Sequence, residues 1–230
     1  MLNESASVAS NGRTCLKAKT GFLYYLCSSG YSFNSMIQNY LASVASANTG
    51  TMQYVQLWSL PQSGNSVDDS YDILIVACPT GTMSSSERSM LATWAQRWHR
   101  RIVLVGDCGY SWYVENGYLN TIAGAIGGFP QFQTAREYYD GGIDNTRLCS
   151  LNYSSCLARN VSYLRDASTG KFQTWGGWVS KTQSGYIWIA DCPQSGGGDG
   201  VTIHDANLFD STYNDSPQMT FVANLCTIFE

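Results

Sequence analysis

The chain has 230 residues and a formal net charge of −4, and charged side chains make up only 13% of it, where an ordinary soluble domain has roughly a quarter. An apolar content of 44% excludes intrinsic disorder, because such a chain can bury a large core. The acidic balance leaves no extended basic surface, so the sequence predicts no nucleic-acid partner. Apolar runs are too short to span a bilayer, so it predicts no membrane insertion.

The first half of the chain alternates strand-like and helix-like patterns. Apolar runs predict strands, and the runs at 71–78 and 101–105 lack polar alternation, as strands covered on both faces do. Periodic apolar positions predict helices, one of which begins with a capping box formed by Ser84 and Glu87 and carries Trp98 on its apolar face. The predicted strands are 21–27, 52–57, 71–78, 101–105, 185–190 and 201–204, and the predicted helices are 32–47, 84–98, 116–126 and 219–228.

This order predicts an α/β fold, a three-layer sandwich with a mainly parallel, flavodoxin-like central sheet. Residues 129–183 are rich in Tyr, Asn and Ser, and they are predicted to form an irregular insertion before the last strands. The glycine-rich segment 195–200 is predicted to be flexible. We find no repeat or linker, so residues 1–230 are predicted to form one domain.

Two segments joined by the capped helix resemble the middle of class I glutamine amidotransferase-like domains. They are YDILIVACP at 71–79 and RIVLVGDCG at 101–109. In that family a strand ends in a sharp turn that carries a nucleophilic cysteine. The resemblance implies that Cys108 is the nucleophile, that His204 is its base, and that backbone amides around Gly109 form an oxyanion hole.

The match to the catalytic motif is incomplete. Tyr110 stands where the family's turn has a second glycine. Asp205 and Ala206 follow His204, where the catalytic motif has Pro and Glu, so nothing in the motif orients the imidazole. The segment around His204 also resembles the closing strand of non-catalytic, divergent members, in which an Asp follows the last strand. The chain is therefore more similar to those members.

Thiols and carboxylates follow several predicted strands. In a parallel sheet the carboxyl ends of the strands share one edge, where ligands bind. Either these groups form a reactive or binding edge there, or the cysteines are small buried apolar residues and the aspartates cap turns. They are Cys27, Cys78, Cys108, Cys192, Asp107, Asp191 and Asp205.

The remaining cysteines and the two histidines give weaker signals. Cys149 and Cys156 enclose a six-residue loop, which suits a local disulfide in an oxidising compartment and two thiols in a reducing cytosol. The chain has no C-x-x-C motif and only two His, so it predicts no metal site. It also predicts no cofactor.

Aromatic residues are concentrated after the fourth strand and in the insertion. If exposed, these rings bind a protein partner or a sugar, and if buried they are core. Candidate binding residues are Tyr110, Trp112, Trp175 and Trp178, with Asp107 and Asp205.

The sequence therefore predicts a non-catalytic binding or structural module of an extracellular or virion-surface assembly, with a protein partner or self-assembly and with carbohydrate as another ligand class. No secretory signal is visible, and a cytoplasmic location is the alternative. The alternative function is a thiol-dependent hydrolase or amidotransferase that uses Cys108 and His204.

Overall fold

A nine-stranded sheet is the main feature of the computed structural model, which describes residues 7–8, 14–17, 19–23, 53–107, 109–134, 147–166, 169–172, 175–209 and 215–229. In chain order the strands are β1 (Ser7–Val8), β2 (Thr14–Lys17), β3 (Lys19–Leu23), β4 (Gln53–Leu57), β5 (Gln62–Ser63), β6 (Ser66–Val67), β7 (Ile73–Ala77), β8 (Arg101–Val105), β9 (Arg147–Leu151), β10 (Leu164–Asp166), β11 (Trp178–Lys181), β12 (Ile187–Asp191), β13 (Asp199–Ile203) and β14 (Thr227–Phe229). The described helices are α1 (Ser85–Ala95), α2 (Gly109–Ile126) and α3 (Ser216–Leu225), with short 3-10 turns at Cys156–Ala158 and Ala206–Phe209.

The large sheet is mixed, with the strand order β10-β9-β11-β12-β13-β8-β7-β3-β4. Strands β13, β8, β7, β3 and β4 are parallel to one another. The four contacts from β13 outward through β12, β11 and β9 to β10 are antiparallel. Strands β1, β2 and β14 form a separate small sheet, and β5 pairs with β6.

The predicted flavodoxin-like, three-layer sandwich with a mainly parallel sheet is therefore wrong. Four of the eight strand contacts in the large sheet are antiparallel, and more of the described residues lie in strands than in helices. Part of the error lies in residues 129–183, because β9, β10 and β11 are short, mix polar with apolar residues and carry no long apolar run. The rest of the error lies in β12, which is antiparallel to β13. A buried apolar strand has the same composition whether it runs parallel or antiparallel to its neighbour, so the sequence does not show its direction.

The register defines two edges of the sheet. Arg101 at the start of β8 lies beside Ile73 and Asp199, which begin the two neighbouring strands, and we call this the amino edge. The opposite ends of the same strands form the carboxyl edge. Strand β12 runs the other way, so its last residue, Asp191, lies beside Val201 near the amino edge.

Both faces of the central strands are covered, as their apolar runs predict. On β7, Leu74 and Val76 pack with side chains of α1 and α2, whereas Ile73 and Ile75 pack with side chains of α3. All five residues of β7 and of β8 are buried. Burial of this kind stabilises a chain by about 1.5–3 kcal/mol for each large apolar side chain. These two buried strands therefore fix the positions of the residues that follow and precede them at the two edges.

The helix boundaries differ from the predicted ones. The capping box of α1 is present, with Glu87 N donating to Ser84 Oγ at 3.2 Å and Ser84 N donating to Glu87 Oε2 at 2.8 Å. Helix α1 ends at Ala95, three residues before Trp98, and α2 begins at Gly109 rather than at 116. The predicted helix at 32–47 lies outside the described residues. Among the helices that the structure describes, none has the length and apolarity to cross a bilayer.

Candidate functional site

His204 lies at the carboxyl edge, directly after β13, and it is completely buried. Phe172 stacks on its imidazole at 5.0 Å between ring centroids, and Phe132 meets the ring edge-on at 5.2 Å. Gly170 lies so close that a Cβ atom there would overlap the ring. The side chain that the resemblance assigns as a base is thus enclosed by aromatic and backbone atoms.

Polar contacts hold the same ring from the side of α2. Asn116, which is fully buried, has its Nδ2 atom 3.3 Å from His204 Nε2. Asn116 Nδ2 also donates to the backbone carbonyls of Asp107, at 2.8 Å, and Gln133, at 2.7 Å. Asn116 therefore joins β8, α2 and the segment after α2 around the imidazole.

Burial determines the protonation state of this ring. It lowers the pKa of His204 to about 3, against the opposing effect of hydrogen bonds with the backbone of Lys171 and Asp107. Desolvation disfavours a buried imidazolium, so the ring is neutral at pH 7. A neutral imidazole accepts protons, but this one has no surface at which a substrate can meet it.

The predicted site residues at the carboxyl edge come together only in part. Asp107 and Asp205 are both buried, and Asp205 Oδ1 accepts a hydrogen bond from Asn207 N at 2.9 Å, as expected of a residue that caps a turn. Cys108 lies outside the described residues. Tyr110 and Trp112 lie on the first turn of α2, and their side chains are outside the described set.

Two groups predicted for the carboxyl edge lie at the opposite one. Strand β12 is antiparallel to β13, so Asp191 and Cys192 are carried to the amino edge. Burial raises the pKa of the Cys192 thiol well above its usual range, which leaves the thiol protonated and unreactive. Cys226 behaves similarly, because burial raises the pKa of its thiol to about 11.

The predicted disulfide between Cys149 and Cys156 is not formed. The structure records both side chains as thiols. Cys149 is buried on β9 beside Leu164 of β10, and Cys156 is the first residue of a 3-10 turn. The loop between them contains a tight turn, in which Ser155 N donates to Asn152 O at 2.9 Å.

Trp175 and Trp178, which the sequence predicts to bind a ligand, are half-buried and contact other residues of the chain. Trp175 Nε1 donates to Asp191 O at 3.0 Å. The Lys181 ammonium lies 4.4 Å from the centroid of a Trp178 ring, and both tryptophans pack against buried core residues. Among the tryptophans whose side chains are described, two others are exposed, because Trp58 has 67% and Trp98 has 66% of its surface accessible.

A cavity of about 490 Å³ opens at the amino edge. Its walls are residues 98–101 after α1, the turn 154–157, and residues 191, 193 and 197–199 around the start of β13. Small-molecule sites in proteins have volumes of about 300–1,000 Å³. We call it the amino-edge cavity. It lies at the opposite edge of the sheet from His204.

Glycines bring the 195–200 segment against the end of α1. A Cβ atom on Gly196 or Gly198 would overlap the backbone of Gln96 or Ala95, respectively. The Gln96 side chain fixes the same segment, because its Oε1 accepts a hydrogen bond from Ser195 Oγ at 3.0 Å. The predicted flexibility is therefore replaced by a close-packed turn that forms one wall of the amino-edge cavity.

The two arginines that line the amino-edge cavity are paired with carboxylates of the protein. Arg101 Nε lies 2.6 Å from Asp199 Oδ2, and Arg100 Nη1 lies 2.6 Å from Asp72 Oδ1. Arg101 also donates through Nη1 to the backbone carbonyls at the end of α3. Within the described ranges, no group of three or more His, Cys, Asp or Glu residues could hold a metal ion.

The sequence does not indicate this cavity. Its walls come from segments 154–157 and 191–199, which are far apart in the chain from 98–101. The spacing of Trp94 and Trp98 suits one face of a longer helix, whereas α1 stops at Ala95 and His99 has a φ of 61°. Only the run of glycines at 196–198 signals a close backbone approach.

No protein-family model and no curated protein sequence matches the chain. Comparison with solved structures gives fold-level matches. A ThuA-like protein from Bacteroides uniformis aligns with a TM-score of 0.57 at 7% identity, over 91% of this chain and 89% of that chain. The chain shares the fold of that ThuA-like protein. A cytoplasmic protein, STM3548, from Salmonella typhimurium aligns with a TM-score of 0.57 at 8% identity, over 91% of this chain and 98% of that chain. At these identities the ThuA-like match describes the fold alone.

Proposed function

We propose that this chain is a non-catalytic binding module and that its ligand occupies the amino-edge cavity. The observation that carries the proposal is the enclosure of His204 between Phe132 and Phe172, with no accessible surface. A general base must come within hydrogen-bond reach of the proton that it takes from the nucleophile. An open cavity of small-ligand size lies at the other edge of the sheet.

The alternative function, a hydrolase with Cys108 as nucleophile and His204 as base, is disfavoured by the same geometry. A catalytic histidine is oriented by a hydrogen bond from one ring nitrogen while the other faces the nucleophile. Here Nε2 faces the Asn116 amide, and the ring is also in hydrogen-bond contact with the backbone of Lys171 and Asp107. The ring is packed as a core residue is packed.

The relation to amidotransferase-like domains stays a proposal about descent. It is supported by the ThuA-like match, because ThuA-like proteins have a glutamine-amidotransferase-like fold. On this proposal the chain is a divergent member that keeps the position of the histidine and lacks the carboxylate that orients it. Asp205, the nearest acidic residue in the chain, caps the turn that follows.

An extracellular or virion-surface assembly also stays a proposal, with a cytoplasmic location as the alternative. The five cysteines whose side chains are described are all thiols, which favours the alternative. We expect at least five thiols to react when the purified chain is unfolded without reductant. A count of four or fewer would contradict the thiol state of these cysteines.

The location of the binding site is tested by screening a library of small neutral, cationic and anionic fragments against the 15N-labelled chain. We expect binding fragments to shift the indole N–H resonance of Trp98 and to leave that of Trp58, which is equally exposed, unchanged. Fragments that bind only around the carboxyl edge would overturn the location. Release of ammonia from glutamine, lost in Cys108→Ser, would overturn the non-catalytic assignment.

A further inference from the structure

Trp98 forms an apolar platform at the mouth of the amino-edge cavity. Its indole is 66% exposed although it lines the cavity. Gly197, with a φ of 89°, lies against the ring, so that a Cβ atom there would come within 2.6 Å of Cε3. The His99 imidazole is tilted by 55° against the same side chain at 5.1 Å between centroids. These neighbours hold the indole in place while most of its surface faces solvent.

The charges of the cavity favour an uncharged ligand over an anionic one. Both guanidinium groups in its wall already have carboxylate partners at 2.6 Å, Arg101 with Asp199 and Arg100 with Asp72. An anionic ligand would have to displace one of these carboxylates, and it would also meet the carboxylate of Asp191 in the same wall. A ligand with neutral hydrogen-bonding groups avoids both costs.

The rest of the wall offers hydrogen bonds of the kind that hydroxyl groups make. The turn at 154–157 contributes two serines, and Ser155 Oγ is positioned by a hydrogen bond from Leu157 N at 3.2 Å. Asp191 contributes a partly exposed carboxylate, and the turn at Gly197 and Gly198 contributes backbone. Hydroxyl groups both donate and accept, so they suit a wall in which donors and acceptors are mixed.

From these three features we infer that the amino-edge cavity binds a neutral sugar, a ring of which packs its C–H face on the Trp98 indole. This inference rests on the proposed function and names its ligand class. The indole face carries partial negative charge, which attracts C–H groups, and its rigidity keeps the entropy cost of ordering low. The hydroxyl groups of the sugar then bond to the polar wall, and the cavity volume of about 490 Å³ is in the range of small-ligand sites.

The test is a titration of neutral mono- and disaccharides against the full chain by calorimetry, with sialylated and sulfated sugars as charged comparators. We expect at least one neutral sugar to bind, and Trp98→Ala to lose about tenfold or more in affinity, which corresponds to about 1.4 kcal/mol. Trp58→Ala is the matched control, because that indole is 67% exposed and lies outside the cavity wall, and it should bind as the wild type does. Trp98→Phe, which keeps an aromatic face, should bind more tightly than Trp98→Ala.

Three results would overturn the sugar inference. They are no binding of any neutral sugar, equal affinity of Trp98→Ala and wild type, and preferential binding of the charged comparators. The fragment screen separates this failure from failure of the proposed function. If fragments shift Trp98 but neutral sugars do not bind, the ligand class is wrong and the binding site stands. If fragments bind only at the carboxyl edge, both are wrong.

Discussion

The environment of His204 makes the stability of the folded chain depend on pH. The pKa of this imidazole is about 6.5 in the unfolded chain and is lowered to about 3 in the folded one. Between these values the unfolded chain binds the extra proton, so stability is full above pH 6.5 and is lost as the pH falls. The ring is completely buried, so solvent does not screen this effect.

We therefore predict that the free energy of unfolding falls by about 2 kcal/mol between pH 7.5 and pH 5 through His204 alone. Urea denaturation at a series of pH values measures this loss. The control is His204→Gln, which removes the titrating group and leaves the carboxylates of the protein in place. If the variant shows the same dependence on pH as the wild type, His204 is not the source.

Gly170 tests how tightly the His204 ring is enclosed. A Cβ atom at this position would overlap the imidazole, which Phe132 and Phe172 prevent from moving away. We expect Gly170→Ala to destabilise the chain by about 1–3 kcal/mol, the usual cost of overpacking a core. Gly176→Ala is the control, because a Cβ atom there has no neighbour within 4 Å. Equal midpoints of thermal unfolding for the two variants would show that the ring has room.

At the scale of elements, the start of α1 is held by a local motif. Ser84 Oγ and the Glu87 carboxylate satisfy two backbone amides that lack partners within the helix. We predict that Ser84→Ala destabilises the chain by about 1 kcal/mol, whereas Ser86→Ala, at the exposed second residue of the helix, leaves stability unchanged or slightly raised. Chemical denaturation of both variants measures the difference, and a loss at Ser86 as large as that at Ser84 would contradict the role of the cap.

Arg101 connects three elements at the amino edge. Its Nε atom pairs with Asp199 on β13, and its Nη1 atom donates to the carbonyls of Asn224 and Leu225 at the end of α3, at 3.1 and 2.9 Å. We expect Arg101→Met to destabilise the chain by about 3 kcal/mol, because it leaves these buried acceptors without a donor. Arg97→Met is the control, since Arg97 pairs with Asp69 at the surface and such pairs contribute about 0–1 kcal/mol. Similar losses in the two variants would argue against the buried connection.

How far the elements are predictable from sequence depends on whether their signal is local. The capping box at Ser84 and the apolar runs of β7 and β8 are visible in the sequence, because local hydrogen bonds and burial on both faces determine them. Strands β9 to β11 are not, because they are short and are ordered by pairing with one another and, through β11, with β12. The end of α1 is set by the distant residue Gly198, which packs on the helix backbone.

For the candidate site, too, local features are predictable from the sequence and distant contacts are not. The sequence places His204 at the end of a strand, and the structure confirms that position at the end of β13. Its burial could not be predicted, because the residues that enclose it, such as Phe132 and Phe172, come from other segments. The exposed indole of Trp98 was missed for the converse reason, since its spacing from Trp94 is that of a buried helix face.

At the scale of the whole molecule, the two edges of the sheet differ in what they offer a ligand. The carboxyl edge around His204 is filled by aromatic rings and by the Asn116 amide, whereas the amino edge carries an open cavity with an exposed indole. The antiparallel strand β12 contributes to this difference, because it brings Asp191 to the amino edge. The low fraction of charged residues, 13%, agrees with a cavity whose two arginines are internally paired.

The rate at which Cys108 is alkylated by iodoacetamide, followed by mass spectrometry from pH 5 to pH 10, tests the central claim most directly. If the carboxyl edge is not a catalytic centre, Cys108 either does not react or reacts with the dependence of an ordinary thiol, with a pKa of about 8.5. His204→Gln should leave that dependence unchanged. A rapid reaction with a plateau that begins below about pH 7, and that is lost in His204→Gln, would show a thiolate activated by the histidine and would contradict the non-catalytic assignment.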